Sequence, residues 1–417
     1  MIGLLDLPRR FGRITSGGTY VPQIDGLRFL AIMPVLFFHS GLRGERFYPD
    51  ITASEELVAD WMPLGNLGVS LFFFISGYII SYPFLAARPP QLSSFYKRRL
   101  LRLEPPYIVV MLGCFAILSM GVSPINAPNF DFTNAPLWQS LLASLTYSHS
   151  FIFGDHPKLN PPTWSLEREV QFYLLAPFLL RGYLRIKSRD SRIYLGGILC
   201  LALLILGQTI NGVFEWHHPL RHSLLAESYG FVLGVLVCDY SVAAQPFAQL
   251  ARRRYDLGLA VGYAGLLLTG SVEAVLSTGE GLFNTIFGIF NAILRAACIL
   301  LVFIGASRGP MGRAVLGSPW IALVGGACYS IYLVHVPVMH VGATALAHVI
   351  RPTSLVEAWI VSWVVLIPLS VAAGMVFYVS VERPCMQPDW PRSLFRASKA
   401  WIARRREIGS PADTQQI

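Results

Sequence analysis

The sequence has few charged residues and no paired cysteines. Charged residues make up 14% of its 417 residues, whereas soluble domains carry roughly 25%, and hydrophobic residues make up 54%. This composition excludes an ordinary soluble protein, a disordered chain and a coiled coil. The six cysteines stand singly, mostly inside apolar stretches, with no CxxC pair. The sequence therefore predicts neither a disulfide framework nor a zinc site built from cysteines.

Long apolar runs are abundant instead. A segment needs about 20 apolar residues to cross the ~30 Å hydrocarbon core of a bilayer. Because a spanning segment must satisfy its backbone internally, each such run is expected to be an α-helix. The runs are continuous, which excludes the alternating pattern of a β-barrel. The sequence predicts an all-α polytopic membrane protein with about ten transmembrane helices, near 24–42, 65–87, 103–122, 168–185, 194–212, 223–240, 255–271, 284–306, 320–348 and 357–381.

The basic residues alternate between the loops. Of the 33 Lys and Arg residues, 25 fall on one side of this arrangement, six on the other and two inside the apolar runs. The side with more basic residues is expected to be cytoplasmic, which places both termini in the cytoplasm. The net charge of +9 is then a sign of topology and not of nucleic-acid binding. We expect a cytoplasmic segment over 1–23, a transmembrane domain over 24–385 and a basic cytoplasmic tail over 386–417, with an interfacial or re-entrant segment over 137–153.

The first apolar run carries two polar residues that point to a function. A charge inside the bilayer is costly and marks a candidate functional residue. Arg28 and His39 are separated by three helical turns within about 20°, so they share one face of the helix. Asp25 lies one turn before Arg28 and can pair with it. The alternative is an arginine that snorkels to the inner interface and a histidine hydrated at the outer one.

A basic cluster lies at the inner mouth of the third run. Arg99 and Arg102 are three residues apart and share a helix face. Guanidinium forks bind phosphate oxygens in pairs, so Arg98, Arg99 and Arg102 are candidate phosphate ligands. The alternative is that these residues only mark a cytoplasmic membrane boundary, and the spacing alone favours that interpretation.

A glutamate and a second histidine also enter apolar runs. Glu169 lies on the same side of the membrane as His39, and a carboxylate beside an imidazole stabilises its protonated form. This predicts His39 as a general base and Glu169 as its partner. His335 lies midway along the ninth run, where a histidine is more often a hydrogen-bond partner between helices. The loop histidines His217, His218 and His222 are expected to be solvated, and we expect no metal.

In their order along the chain, these motifs resemble those of the acyltransferase-3 family of bacterial integral-membrane acyltransferases. The resemblance covers about residues 22–385. Six segments carry it: Ile24 to His39 with an Arg-x10-His pattern, Gly68 to Tyr78, Arg98 to Pro105, Thr163 to Tyr173, Ser330 to Pro337, and Val381 to Pro384. In two places the sequence departs from the family. Val170 stands where many members have a second glutamate, and Val334 and Val336 replace common tryptophans.

The resemblance implies a membrane-embedded O-acyltransferase (EC 2.3.1.-) of the bacterial cytoplasmic membrane. It would move an acyl group, usually acetyl, from cytoplasmic acyl-coenzyme A to a hydroxyl of a cell-surface or lipid-linked glycan, without a metal and without nucleic acid. His39 and Glu169 would be catalytic, and the coenzyme would be bound by Arg28, Arg98, Arg99 and Arg102. Substrate or structural support would come from Asp25, Trp164, Tyr173, Tyr332 and His335.

Two other functions stay open from the sequence. A transporter or flippase of a lipid-linked sugar would be expected to show repeat-related halves and broken helices at the bilayer midplane. An acyltransferase acting on a small cytoplasmic acceptor would share every motif above. These residues are compatible with several acceptors and acyl chain lengths, with any oligomeric state, and with either direct transfer or an acyl-enzyme.

Overall fold

The computed structural model describes residues 7–14, 20–45, 48, 51–62, 65–86, 89–121, 136–276, 279–387 and 390–391. These residues form helices and connecting turns, and no strand occurs among them. The prediction of an all-α fold is therefore confirmed. Most of the tail predicted over 386–417 lies outside the described residues.

The helices follow the predicted apolar runs closely. In chain order they are α1 (Leu7–Phe11), α2 (Pro22–Gly44), α3 (Ala53–Asp60), α4 (Asn66–Leu85), α5 (Leu92–Ser119), α6 (Leu137–Leu145), α7 (His149–Phe153), α8 (Trp164–Tyr183), α9 (Arg189–Val213), α10 (Ser228–Ala244), α11 (Arg254–Leu276), α12 (Leu282–Arg308), α13 (Pro310–Leu316), α14 (Pro319–Gly326), α15 (Cys328–Val349), α16 (Leu355–Phe377) and α17 (Arg383–Cys385). A π-helical turn, Tyr378–Glu382, joins α16 to α17.

Eight of the helices in the described part of the chain are long and apolar enough to cross a membrane. This confirms a polytopic membrane protein. The other two predicted runs correspond to α8 and α10. Helix α10 has only 17 residues, and α8 carries the charged residues Glu167, Arg168, Glu169 and Arg181 within its 20 residues. The prediction of about ten spans therefore depends on these two helices.

Three of the predicted runs have a different shape in the structure. Helix α5 begins at Leu92, well before the predicted start at 103. The ninth run is broken at Ala327 into α14 and α15, where Gly325 and Gly326 weaken the helix. The predicted segment over 137–153 consists of two helices of nine and five residues. At about 1.5 Å per residue, neither can span a bilayer.

Small residues bring α4 and α10 into close contact. A Cβ atom added at Gly77 would lie 2.1 Å from the carbonyl oxygen of Phe231, and one added at Gly234 would lie 2.1 Å from that of Phe74. Glycine at both positions lets the two backbones touch, as is usual between membrane helices. Helix α2 packs against α4, α14, α15 and α16, and is therefore surrounded by helices that bring polar side chains to it.

Candidate functional site

His39 faces His335. His39 lies on α2 and is partly exposed, whereas His335 lies on α15 and is fully buried. The centres of the two imidazole rings are 5.1 Å apart. Nδ1 of His335 lies 2.6 Å from the backbone carbonyl oxygen of Tyr332, and since a carbonyl oxygen only accepts, Nδ1 carries the proton. Nε2 of His335 is then an acceptor, and it is buried with no hydrogen-bond partner among the described residues.

Pro337 explains part of this local arrangement. Proline has no N–H, so the carbonyl oxygen of Leu333 one turn earlier loses its usual helical donor. Nδ2 of Asn160 donates to that oxygen at 2.9 Å. The Tyr332 hydroxyl donates to the carbonyl oxygen of Pro162 and lies 2.7 Å from Oγ of Ser165. These contacts fix α15 against the start of α8.

Glu169 belongs to a second cluster. Its carboxylate accepts hydrogen bonds from the hydroxyls of Ser76 on α4 and of Tyr173 on α8. The guanidinium of Arg99 lies 4.7 Å from the centre of the Tyr173 ring and 4.5 Å from that of Phe95. A cation over an aromatic face is attracted by the ring quadrupole. Glu169 therefore connects to the arginines of α5 through Tyr173.

The other predicted arginines have different partners. Arg98 is exposed, and its Nη1 donates to Oγ of Ser94 at 2.8 Å. Nη2 of Arg102 donates to Oε1 of Glu382 at 3.4 Å. Glu382 is completely buried, and Oγ of Ser330 donates to its second oxygen at 2.6 Å. The basic cluster of α5 is thus linked to the π-helical turn that follows α16.

The predicted pair of Asp25 and Arg28 is present, and it has a third member. Nη1 of Arg28 donates to Oδ1 of Asp25, and Nη1 of Arg13 donates to the same oxygen at 3.1 Å. Asp25 is buried. Burial lowers the pKa of Arg13, as does the nearby charge of Arg102. Arg13, Arg28 and Arg102 therefore share one region at the start of α2.

The structure does not bring His39 and Glu169 into contact. No hydrogen bond, ion pair or ring contact joins them in the part of the chain that is described. His39 lies near the C-terminal end of α2 with His335, and Glu169 lies with Ser76, Tyr173 and the α5 arginines. The orienting role predicted for Glu169 stays a prediction, and no contact with His39 supports it.

Trp164 lies in an aromatic cluster near the start of α8. The Arg168 guanidinium lies 4.6 Å from its ring centre, and the His156 ring stacks on it at 5.6 Å.

His222 is buried beside His156 and Trp216, so the expectation that it is solvated was wrong. Burial, together with His222 and Arg168, lowers the pKa of His156 to about 3, and burial lowers the pKa of His222 to about 4. Both rings are neutral at pH 7.

Comparison with known proteins decides the family. A family model described as an acyltransferase domain matches residues 21–379. The chain belongs to the acyltransferase-3 family. The predicted resemblance is therefore confirmed, and the matched acyltransferase domain covers most of the chain. No solved structure matches it.

Two curated relatives of this acyltransferase-family chain differ in length. The O-acetyltransferase OatA of Staphylococcus aureus is 24% identical over 340 residues, which cover 77% of this chain and 51% of OatA. The acyltransferase MdmB of Streptomyces mycarofaciens is 22% identical over 390 residues, which cover 88% of this chain and 92% of MdmB. The chain thus spans about half the length of the first of these relatives and nearly the full length of the second.

Sequence reasoning missed several residues of the site in this family member. Glu382 was part of a quoted motif but had no predicted role, and its complete burial is visible only in the structure. Arg13 lies in the predicted cytoplasmic segment 1–23, and its position there carries no signal of a specific role. Ser76 lies inside the second motif, where a serine in an apolar run was the available signal. Among the described residues, no group of three His, Cys, Asp or Glu side chains could hold a metal ion.

Proposed function

We propose that the chain is an O-acyltransferase of the bacterial cytoplasmic membrane that moves an acetyl group from acetyl-coenzyme A to a hydroxyl of a cell-surface or lipid-linked glycan. One observation carries the proposal. A single helix, α2, holds Arg28 in a cluster of guanidiniums near one end and His39 against a second imidazole near the other. The rise of 1.5 Å per residue separates Arg28 and His39 by about 16 Å along the axis. The name of the relative OatA, an O-acetyltransferase, supports an acetyl group and an oxygen acceptor.

The donor would be held at the arginine end. Coenzyme A carries three phosphate groups, and guanidiniums bind phosphate oxygens in pairs. Arg28, Arg98, Arg99 and Arg102 would bind the nucleotide part. Tyr173 would support Arg99 through the ring face that the guanidinium already occupies. The narrow pantetheine arm would then run along α2 toward His39.

His39 would act as the general base. The acceptor hydroxyl attacks the thioester carbonyl carbon while His39 takes the hydroxyl proton. The tetrahedral adduct then collapses, the carbon–sulfur bond breaks, and His39 returns the proton to the departing thiolate. The products are the acetyl ester and coenzyme A with a free thiol. A covalent acyl-histidine intermediate is the alternative route, and hydrolysis of acetyl-coenzyme A with a burst in the absence of acceptor would favour it.

We further propose His335 as the orienting partner of His39. Because Nδ1 of His335 donates to the Tyr332 carbonyl oxygen, its Nε2 is free to accept the N–H of the His39 ring. The other nitrogen of His39 would then carry the lone pair that a base needs. Tyr332 would set the position of α15 through its hydrogen bond to Ser165. Trp164 would line the side of the site where the acceptor binds.

The test is acetyl transfer by the purified protein. With radiolabelled acetyl-coenzyme A and candidate glycans, we expect label in the glycan, and we expect His39→Ala to lose about 10²–10⁴-fold in turnover, the range of a positioned general base. His348→Ala is the matched control, since His348 is exposed at the end of α15. Near-normal turnover by His39→Ala would overturn the mechanism.

Two alternatives predict other results in the same assay. A transporter of a lipid-linked sugar would move sugar across the membrane without transferring label, and the break at Ala327 between α14 and α15 is one feature of that class. An enzyme acting on a small cytoplasmic acceptor would label a soluble compound and leave the glycan unlabelled.

A further inference from the structure

The N-terminal segment 7–14, here called the N-terminal strap, covers the end of α2 where the arginines gather. Helix α1 packs against α14, and Ile14 packs against the buried core. Nη2 of Arg383 donates to the backbone carbonyl oxygen of Arg10 at 2.8 Å. The strap is therefore fastened at both ends, and Arg13 lies between the two attachments.

Arg13 is directed into the protein. Its side chain is 12% exposed and its Nη1 lies 3.1 Å from Oδ1 of Asp25, whose side chain is 3% exposed. Arg28 donates to that same oxygen. If Arg13 moved away, Nη1 of Arg28 would still neutralise Asp25, and the other nitrogens of the Arg28 guanidinium would remain for the donor. The departure of Arg13 would therefore not leave a buried carboxylate unpaired. One of the two guanidiniums on Asp25 can therefore serve another anion.

The region holds more guanidinium donors than acceptors. Arg13 lies close enough to Arg99 and Arg102 for the three charges to act on one another. With Arg28, these are four guanidiniums, and the carboxylates that face them are Asp25, Glu382 and Glu169. Nε of Arg13 and Nε of Arg102 are buried without a hydrogen-bond partner in the described ranges. Buried donors without acceptors are costly, and a polyanionic ligand would satisfy them.

We propose that Arg13 is a phosphate-binding residue of the donor site, which exchanges Asp25 for a phosphate group of coenzyme A when the donor enters. This inference rests on the proposed function, because coenzyme A is the donor proposed there. Arg13 would contribute a phosphate-binding side chain from outside the transmembrane helices. The strap then closes over the nucleotide and is part of the donor site.

The experiment measures binding of coenzyme A to the purified full-length protein in detergent by isothermal titration calorimetry. Arg13→Ala is expected to weaken binding about ten- to a hundredfold, the effect of losing one charge-assisted hydrogen bond. Arg13→Lys keeps the charge without the planar fork and should recover part of the affinity. Arg10→Ala is the matched control. Its side chain is exposed and only its carbonyl oxygen holds the strap, so wild-type affinity is expected.

Three results would decide against the proposal or separate it from a structural role. If wild-type protein binds coenzyme A and Arg13→Ala binds it equally well, the role of Arg13 is overturned while the proposed donor stands. A lower melting temperature with unchanged affinity would also overturn it, because Arg13 would then only fasten the strap. If wild-type protein fails to bind coenzyme A, the donor assignment falls, and the role of Arg13 with it. In steady state, support requires a raised KM for acetyl-coenzyme A with kcat unchanged.

Discussion

His335 lies in contact with His39, and this contact decides how the base would be held. A base whose ring turns freely spends little time in the productive orientation, so the loss of its hydrogen-bond partner lowers kcat. We expect His335→Ala to lower kcat by about 10–100-fold with KM for acetyl-coenzyme A unchanged. His335→Gln offers an amide oxygen as acceptor and should keep more activity than alanine. Steady-state acetyl transfer checks both variants.

The control for this prediction is Ser330→Ala. Ser330 is also fully buried on α15 and donates to Glu382, so its loss perturbs the same helix without touching the imidazole pair. Equal losses of kcat in Ser330→Ala and His335→Ala would mean that His335 acts only through the packing of α15. Partial rescue by glutamine is the result that a packing role does not produce.

For single residues, the sequence could predict contacts between residues that are close together in the chain. Asp25 and Arg28 are three residues apart on one helix, so their pairing follows from helix geometry and is present. The contact between His39 and His335, and the placement of Glu169 with Ser76, depend on how separate helices pack. Hydropathy and spacing carry no information on that packing, which is why Glu169 was matched to His39.

The close contact between α4 and α10 gives a test at the scale of helices. A methyl group at Gly234 would lie 2.1 Å from the carbonyl oxygen of Phe74 and 2.7 Å from the backbone nitrogen of Tyr78. Because backbone atoms cannot rotate out of the way, the helices would have to separate. We expect Gly234→Ala to destabilise the protein by about 1–3 kcal/mol. Thermal unfolding in detergent would show it as a lower melting temperature.

Gly197 provides the matched comparison. It lies on α9, and a Cβ added there would meet no atom within 4 Å. Gly197→Ala should therefore be neutral or stabilise the helix by about 0.5–1 kcal/mol, because alanine loses less conformational freedom than glycine. If the two variants shifted the melting temperature equally, close packing would not be what requires glycine at 234.

Glu55 links two helices and makes a prediction about pH. Its carboxylate accepts the backbone N–H of Leu355, at the start of α16, at 2.9 Å and that of Thr52 at 3.0 Å. These bonds lower the pKa of Glu55 to about 2. A lowered carboxyl pKa contributes stability that is full above the ordinary value of about 4.5 and is lost as the pH falls toward 2. We expect the melting temperature of wild-type protein to fall from pH 6 to pH 3 more than that of Glu55→Gln.

Other carboxylates titrate in the same range, so the difference between the two proteins is the relevant quantity. Glu357→Gln serves as a second reference, because Glu357 accepts from the backbone N–H and the hydroxyl of Thr353, two residues before its own helix begins. Identical pH dependence in wild type and Glu55→Gln would show that the link between α3 and α16 contributes no stability.

Helices were easier to predict than their ends and breaks. The apolar runs predicted where the helices lie, because a membrane helix must be apolar over its whole length. The break at Ala327 was missed, since hydropathy is continuous across it and only the backbone turns there. The early start of α5 was missed for the opposite reason. Its first turns carry Lys97, Arg98 and Arg99, which hydropathy excludes from a span although they are helical.

For the molecule as a whole, the distribution of basic residues predicts the orientation of the protein in the membrane. The 25 basic residues on one side predict that the strap and the arginine cluster lie in the cytoplasm, where coenzyme A is available. The opposite end, with His39, would then face outward. Acetyl-coenzyme A is charged and does not cross membranes unaided, so orientation decides which vesicles can use it.

Vesicles of opposite orientation test this directly. With radiolabelled acetyl-coenzyme A added outside, inverted vesicles expose the cytoplasmic face and should transfer label to the glycan, whereas right-side-out vesicles should transfer little until detergent opens them. His39→Ala vesicles give the background in both cases. Label transfer by intact right-side-out vesicles alone would place the arginines outside and reverse the topology. Equal transfer by both kinds of vesicle would mean that the donor site is reached from either face of the membrane. That result would contradict the proposal that the thioester enters along α2 from one end only.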